Sequence, residues 1–359
     1  MEGTRKEMLD ISKALSEGKT KNVEEIVKNR LGVDLSASYM GLELRNPLIV
    51  APGPLSQSPF QIKRAAKSGF GGMVLKSVIG ENKEGNASMK SLRTRPTYTK
   101  WVEDEEENPV FHWNGGLDQR CFKDYLKFAK SAFQLGKELD FPLIVSFLCH
   151  LPKERDEEWK FEEWEYTVKK LYEAASIMYE DSPIIFEIDF CPFLKREHLA
   201  VDKEIVKRWY REAPRLIKEI SPDIKVAPKI LNLDFGLKFQ AEMVTASKEG
   251  GADGVVIANR FYIKYMDTKT KEKYFTTHGG KALRERNQHL IKETKETPDL
   301  MISATGGIYS GKHAYEYISL GAQNVQLLTL IMKYGFEESL RSLLFNPKDG
   351  FIISILESG

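Results

Sequence analysis

The stretch DLMISATGGIYSGKHAYEYISLGAQNVQLLT, residues 299–329, contains one complete strand–turn–helix–strand pattern. An apolar run at 299–305 is followed by a helical pattern at 311–320 and by a second apolar run at 324–329. Strands that are buried on both faces read as continuous runs of Val, Ile and Leu, as parallel strands covered by helices do. We therefore predict a β/α unit here.

The same alternation runs along the chain from residue 40 onward and gives eight apolar runs in all. These runs lie at 47–53, 71–77, 142–148, 183–189, 224–230, 253–259, 299–305 and 324–329. Helical patterns lie at 57–68, 118–138, 158–180, 202–220, 235–249, 280–296, 311–320 and 334–345. Eight strands, each followed by a helix, favour an α/β fold of the closed (β/α)8 TIM-barrel type. The count alone leaves an open, doubly wound sheet as the alternative.

Residues 1–36 precede the first strand and predict an N-terminal helical extension to a barrel that covers residues 37–359. Apolar residues share one face of each of two helical patterns: Met8, Ile11 and Leu15 in the first, and Val23, Ile26, Val27 and Leu31 in the second. We expect these faces to pack on the barrel. The alternative, a pair of helices that dips into a membrane, is disfavoured because the charges are balanced and neither face carries Trp or Phe.

Two segments are too long to be simple connections. Residues 78–116 form a loop insertion of nearly forty residues, which predicts a lid or a hairpin that covers a substrate. Residues 262–280 follow the sixth strand and predict a second, mobile flap.

The composition excludes several classes of protein. The chain has 53 Lys+Arg and 52 Asp+Glu, so its formal net charge is +1 and gives no reason to expect nucleic acid or an anionic membrane as a partner. Its three cysteines, Cys121, Cys149 and Cys191, are widely spaced. A disulfide framework or a zinc site is therefore not expected, no other metal is predicted, and a reducing cytoplasm is the expected compartment.

Charged residues and glycines fall at the C-terminal ends of the strands, where such barrels carry their chemistry. Lys76 and Lys229 lie on different strands, and burying both is unfavourable unless an anion lies between them. Each lysine alone is equally compatible with a solvated head group or an ion pair. Gly306 and Gly307 follow the seventh strand, where backbone N–H groups and the start of the next helix can bind a phosphate.

Several motifs, in this order, resemble the dihydroorotate dehydrogenase family of FMN barrels over roughly residues 40–340. They are LELRNPLIVAPG (42–53), GFGGMVLKSV (69–78), the Cys191-Pro192 pair, Lys229, IAN (257–259) and TGGIYSGKHAYEYISLGAQNVQLLT (305–329). The resemblance implies a flavin-dependent dehydrogenase that acts on a CH–CH bond next to a carbonyl. It also implies that FMN is the cofactor.

The resemblance also implies roles for individual residues. FMN would contact Ala51, Gly53, Lys76, Ser77, Lys229, Asn259, Gly279, Gly280, Gly306, Gly307 and Thr329. Lys76 and Asn259 would reach the substrate as well. Cys191 matches the cysteine that soluble members of the family use as the catalytic base. A thiol can serve as that base when nearby cations lower its pKa.

The chain departs from the family pattern on the substrate side. Asp189 and Phe193 flank the Cys-Pro pair where the family has asparagines, and the loop that carries Asn114, Gly115, Gly116 and Leu117 has shifted asparagines. Leu328 replaces a glycine near the phosphate. Asp189 would repel a carboxylate, so the sequence predicts that dihydroorotate is disfavoured relative to a compound with less negative charge.

We expect an enzyme with a small-molecule substrate, an electron acceptor that the sequence does not identify, and a homodimer as its assembly. Asp189 and the loop 114–117 would contact the substrate. One alternative is a non-flavin lyase or isomerase that acts on a phosphorylated metabolite, with Lys76 or Lys229 as a reactive amine. Another is a degenerate family member that keeps the barrel without the catalysis.

Overall fold

The computed structural model describes most of the chain. The described residues are 2–17, 23–87, 89–90, 93, 98–114, 118–149, 157–179, 182–190, 203–232, 236–267, 270–294 and 299–358.

The strands and helices are numbered in chain order. The strands are β1 (Ala37–Tyr39), β2 (Leu42–Leu44), β3 (Leu48–Val50), β4 (Gly72–Val74), β5 (Val78–Ile79), β6 (Tyr98–Glu103), β7 (Pro109–Asn114), β8 (Leu143–Cys149), β9 (Ile185–Phe190), β10 (Lys225–Lys229), β11 (Gly254–Ile257), β12 (Phe261–Met266), β13 (Lys273–His278), β14 (Met301–Thr305) and β15 (Asn324–Leu327). The helices are α1 (Glu2–Ser16), α2 (Val23–Leu31), α3 (Pro59–Ser68), α4 (Phe122–Glu138), α5 (Glu157–Ala175), α6 (Lys203–Ile220), α7 (Leu237–Glu249), α8 (Lys281–Glu293), α9 (Gly311–Ser319), α10 (Thr329–Tyr334), α11 (Phe336–Phe345) and α12 (Phe351–Ser358).

Eight parallel strands close into a barrel in the order β4-β3-β15-β14-β11-β10-β9-β8. The barrel closes where β4 pairs with β8, with Met73 opposite Leu143. Each strand corresponds to one predicted apolar run, so the prediction of a (β/α)8 barrel is confirmed and the open sheet is excluded. The short strand β5 extends the sheet along β8.

Local sequence sets the bounds of the helices around the barrel. Helix α3 begins after Ser58, whose side chain accepts a hydrogen bond from the backbone N–H of Gln61, and it has Pro59 in its first turn. It ends at Gly69, which adopts φ +93°. The helix predicted at 334–345 corresponds to α11, which begins at Phe336 after Gly335, where φ is +86°. A separate short helix, α10, begins at Thr329, which the sequence had predicted to end the last strand.

The antiparallel hairpin of β1 and β2 lies at the N-terminal end of the barrel, which we call its lower end. Tyr39, Leu42 and Leu44 of this hairpin are buried. The N-terminal helices lie on the outside, with α1 against α11, and they bury Met8 and Val27 in the same core. The domain boundary at residue 36 stays a prediction.

The two long insertions form one four-stranded antiparallel sheet, which we call the hairpin sheet, in the order β12-β13-β7-β6. Each insertion contributes one hairpin, and they meet where Trp113 of β7 pairs with Thr277 of β13. The hydroxyl of Thr277 also donates to the carbonyl of Trp113 at 2.6 Å. The predicted lid and flap are thus parts of a single sheet that follows β11 and β5 in the chain.

Candidate active site at the C-terminal mouth of the barrel

The C-terminal ends of the barrel strands, which we call the mouth, bring together polar residues from β4, β9, β10 and β11. Lys229 ends β10 and lies in register with Asp189 of β9. Lys76 follows β4 and Asn259 follows β11. Parallel strands place their C-terminal ends on one face, so residues far apart in sequence become neighbours.

Asp189 is the centre of a hydrogen-bond network at the mouth. One carboxylate oxygen accepts from the side-chain amide of Asn259 at 2.9 Å, and the other accepts from the hydroxyl of Ser77 at 3.3 Å. The Ser77 and Ser146 hydroxyls are 2.8 Å apart. Asn259 is itself held because its carbonyl accepts from Asn232. These bonds fix the orientation of a carboxylate that can accept a further N–H group from a ligand.

Lys76 is a buried cation whose backbone is firmly held. Its N–H donates to the carbonyl of Ser56 at 3.0 Å, and its carbonyl accepts from the hydroxyl of Tyr125 at 2.9 Å. Its ammonium lies 4.7 Å from the ring centre of Trp113. Burial lowers the pKa of Lys76 to about 8, although the negative charge of Asp189 opposes this shift.

Arg260 follows Asn259 and adds a cation that was not among the residues predicted for the site. Its Nη1 donates to the carbonyl of Phe111 at 3.0 Å, and its guanidinium lies 5.9 Å from the ring centre of Trp113. Burial lowers the pKa of Arg260 to about 10, and Asp189 again opposes the shift. Trp113 therefore lies beside two cations, one from β4 and one from β11.

Glu187 lies in the barrel interior, and it was not among the residues predicted for the site. It is buried, and Oε1 accepts a hydrogen bond from Gln326 at 2.6 Å, while Oε2 has no hydrogen-bond partner among the described residues. Burial raises its pKa to about 7, although the charge of Lys229 acts in the opposite direction. Alternation along β9 signals this inward position, since Glu187 and Asp189 are two residues apart.

The glycine pairs meet at one side of the mouth. Gly306 and Gly307 adopt φ +97° and +66°, and a Cβ added at Gly307 would overlap the carbonyl oxygen of Gly280. The guanidinium of Arg284 donates to the carbonyl of Gly307 at 3.0 Å. Glycine is thus required where these loops make backbone contact, and the side chains of Leu283 and Arg284 pack directly against the pair.

Ala51 and Gly53 follow β3, and the side chain of Leu328 packs against Gly53. A Cβ added at Gly53 would lie 2.5 Å from Cδ2 of Leu328. Leu328, which replaces a glycine of the family pattern, therefore directs its side chain toward Gly53.

Comparisons with known proteins find similarity to dehydrogenases of dihydropyrimidine rings. The family model described as dihydroorotate dehydrogenase matches residues 191–339. The catalytic subunit of dihydroorotate dehydrogenase B (NAD(+)) from Pyrococcus abyssi is 25% identical over 309 residues, covering 84% of this chain and 89% of the relative. The NAD-dependent dihydropyrimidine dehydrogenase subunit PreA of Escherichia coli is 22% identical over 319 residues, covering 84% and 70%.

The chain is thus similar to the dihydroorotate dehydrogenase family, over residues 191–339 in the family model and over most of its length in these relatives. The catalytic subunit of dihydroorotate dehydrogenase B (NAD(+)) from Methanocaldococcus jannaschii is 25% identical over 311 residues, covering 84% of this chain and 89% of the relative. In this chain the structure brings together Lys76, Ser77, Asp189 and Asn259 through hydrogen bonds or charge.

Other predicted site residues lie outside the described part of the chain. These are Cys191, Gly115, Gly116 and Leu117, together with Phe193. Asn114 ends β7, where its backbone is in register with Tyr98. The roles of these residues stay predictions.

The described residues contain no group of three or more His, Cys, Asp or Glu side chains that could hold a metal ion. None of the helices in the described ranges combines the length and the apolar composition that crossing a bilayer requires.

Proposed function

We propose that the chain is an FMN-dependent oxidoreductase that acts on a CH–CH bond next to a carbonyl in a small, pyrimidine-like ring. The observation that carries this proposal is the pair of buried cations, Lys76 and Lys229, at the mouth of the barrel. Within the described residues, neither ammonium has a hydrogen-bonded carboxylate. A buried positive charge without such a partner favours an anionic ligand.

The residues at the mouth fit FMN. Gly280, Gly306 and Gly307 would hold the phosphate through their backbone N–H groups, with Gly279 and Thr329 in the adjoining segments. Ala51, Gly53, Ser77 and Asn259 would line the ring system. Lys229 would stabilise negative charge on it. Bound FMN supplies a hydride acceptor, and the protein places and polarises the reacting groups.

The chain itself must bind the substrate and take its proton. Cys191 follows β9 directly, and we propose that its thiolate removes the C–H proton while Lys76 and Arg260 favour the thiolate form. Asp189, Asn259 and residues 114–117 would orient the ring. The names of the relatives, a dihydroorotate and a dihydropyrimidine dehydrogenase, support a pyrimidine-like substrate.

The proposal extends to the assembly and the location of the protein. The relatives named as catalytic subunits support a partner protein that receives electrons, whereas the homodimer and the cytoplasmic location rest on the sequence alone.

A second candidate is a lyase or isomerase that uses a lysine as nucleophile. The specific observation in its favour is that burial lowers the pKa of Lys76 to about 8, which leaves part of the amine uncharged near neutral pH.

The proposed chemistry is tested by anaerobic mixing of the oxidised protein with dihydroorotate and, separately, with dihydrouracil. We expect at least one of them to bleach the flavin. Cys191→Ala should slow this bleaching by about a hundredfold or more, because the base is lost, and should leave flavin content unchanged. Cys121→Ala is the matched control, since Cys121 is exposed. Bleaching of Cys191→Ala at the wild-type rate would assign the proton transfer to another group, with Asp189 the next candidate.

A further inference from the structure

Glu187 is a buried acid in the barrel interior that the proposed chemistry does not use. It lies on β9, two residues before Asp189, with its backbone in register with Ser146 of β8 and Ala227 of β10. Side chains two residues apart point to the same face of a strand, so Glu187 lies one layer below the mouth. It is 1% exposed, and its one hydrogen-bond partner among the described residues is Gln326. A carboxylate at this depth is unfavourable without fuller pairing.

The hydrogen bonds around Glu187 leave its second oxygen unpaired. The amide of Gln326 donates to Oε1 of Glu187 at 2.6 Å and to the hydroxyl of Ser303 at 3.0 Å, and this hydroxyl donates to Asn324 at 2.6 Å. Within the described residues, Oε2 of Glu187 and Oε1 of Gln326 are buried acceptors without a donor. The unpaired donors Nδ2 of Asn324 and Oη of Tyr39 form no hydrogen bond with them. A proton on Oε2 makes it a donor, so a neutral carboxylic acid suits this position better than a carboxylate.

Lys229 is the cation that acts on Glu187. Burial raises the pKa of Glu187 to about 7, the charge of Lys229 opposes this shift, and the charge of Asp189 adds to it. Tyr39 of β1 also interacts with Glu187, but burial and the charge of Glu187 hold its pKa well above the usual range, so it stays neutral. The neighbouring polar groups on β8, β14 and β15 carry no charge: Ser146, Ser303 and Gln326. The protonation of Glu187 therefore depends chiefly on the positive charge of Lys229.

Negative charge at the mouth weakens the effect of Lys229 on Glu187. In the proposed function the ring of bound FMN lies beside Lys229, and it gains one negative charge when it accepts a hydride. This charge offsets the positive potential that favours the carboxylate form of Glu187. Protonation of Glu187 then removes the repulsion between two buried negative charges.

We propose that Glu187 is an internal proton site, which takes up one proton from water when negative charge develops beside Lys229 and releases it when that charge leaves. This inference rests on the proposed function and makes Glu187 a positioning residue, since it acts through Lys229 without touching the reacting atoms. The substrate gives a hydride to the flavin ring and a proton to the base, and the proton on Glu187 comes from solvent. Two-electron reduction therefore takes up two protons, one within the hydride and one on Glu187.

The test is the midpoint potential of the bound flavin from about pH 7 to pH 9, measured against indicator dyes in the wild type and in Glu187→Gln. Glutamine has the shape of the neutral acid and does not titrate. In the wild type, the equilibrium constant for two-electron reduction should fall by about a hundredfold per pH unit, tenfold for each proton. In Glu187→Gln it should fall by about tenfold per pH unit. Equal slopes in the two proteins would overturn the inference.

The matched control is Glu43→Gln, because Glu43 is an exposed glutamate on β2. Its slope should equal that of the wild type. A second measurement needs no variant: the reduced-minus-oxidised infrared spectrum of wild-type protein labelled with ¹³C-glutamate. It should gain the C=O band of one protonated glutamate on reduction, and the absence of this band would count equally against the inference.

Urea unfolding of the flavin-free protein separates this inference from the proposed function. Folded Glu187 keeps its proton up to about pH 7, whereas an unfolded glutamate loses it near 4.5, so stability is lost as the pH rises through this range. From pH 5 to pH 8, the unfolding constant of the wild type should rise by roughly a hundredfold relative to that of Glu187→Gln. A protein with this dependence that takes up no flavin keeps the interior proton site and loses the proposed function. A flavin that the substrate bleaches, with equal slopes in both proteins, keeps the function and loses the inference.

Discussion

The two ends of the barrel are built on opposite principles. At the lower end, backbone contacts leave no room for side chains: a Cβ added at Gly71 would overlap the carbonyl oxygen of Asn46. The side chain of Asn46 donates to the carbonyl of Gly69 at 2.8 Å and accepts from the N–H of Leu48 at 3.1 Å. The side-chain amide of Asn46 is thus paired within the protein itself.

At the mouth, charged groups are buried without full compensation. Lys76 and Lys229 are less than a tenth exposed, and burial lowers the pKa of Lys76. Packing at the lower end therefore stabilises the fold. The buried positive charge at the mouth destabilises the folded protein, and we expect an anionic ligand to offset this cost. Substitutions at the two ends should consequently change stability in opposite directions.

The largest effect is expected at the lower end. Gly71→Ala places a methyl group on the carbonyl of Asn46, and the start of β4 must move, which should lower the free energy of unfolding by about 3 kcal/mol or more. Gly3→Ala, in helix α1 with no atom within 4 Å of its added Cβ, is the control. Urea unfolding measures both. An unchanged midpoint for Gly71→Ala would show that the lower end is not tightly packed.

A smaller effect of opposite sign is expected at the mouth. Lys76→Met should stabilise flavin-free protein by about 3 kcal/mol at pH 7, because the folded-state pKa of Lys76, about 8, lies below its ordinary value of 10.5. The unfolded chain holds the proton more tightly, so the penalty of the wild type is complete below pH 8 and disappears as the pH rises toward 10.5. Urea unfolding at pH 7 and at pH 10 measures this difference. A destabilised Lys76→Met at pH 7 would mean that the lysine is paired internally.

The barrel could be predicted from the sequence because each strand is buried on both faces, so its apolar run is visible without knowledge of its neighbours. The hairpin sheet could not, since the strands of its two insertions are partly exposed and the pairing of Trp113 with Thr277 joins distant segments. Helix α12 was missed for a different reason. Its sequence FIISILES is a short apolar run without a helical pattern of its own.

The site was predictable to the same extent as the barrel. Four of the predicted residues lie at the C-terminal ends of strands, so the predicted strands also put them at the mouth of the barrel. They are Lys76, Asp189, Lys229 and Asn259. Arg260 and Trp113 depend on the hairpin sheet, whose register was unknown, and their meeting could not be foreseen. Glu187 lies within the apolar run at 183–189, and a single acidic residue in such a run does not indicate a functional role. It could therefore not be predicted as a site residue.

The central claim is that the uncompensated charge at the mouth marks an FMN site. The most direct measurement is the absorbance spectrum of the purified protein, followed by analysis of the small molecule released on denaturation. Our account predicts a yellow protein that releases one FMN per chain, or a colourless one that takes up one FMN on reconstitution. A folded protein that neither contains nor takes up flavin would contradict the account and favour the lysine-dependent lyase or isomerase.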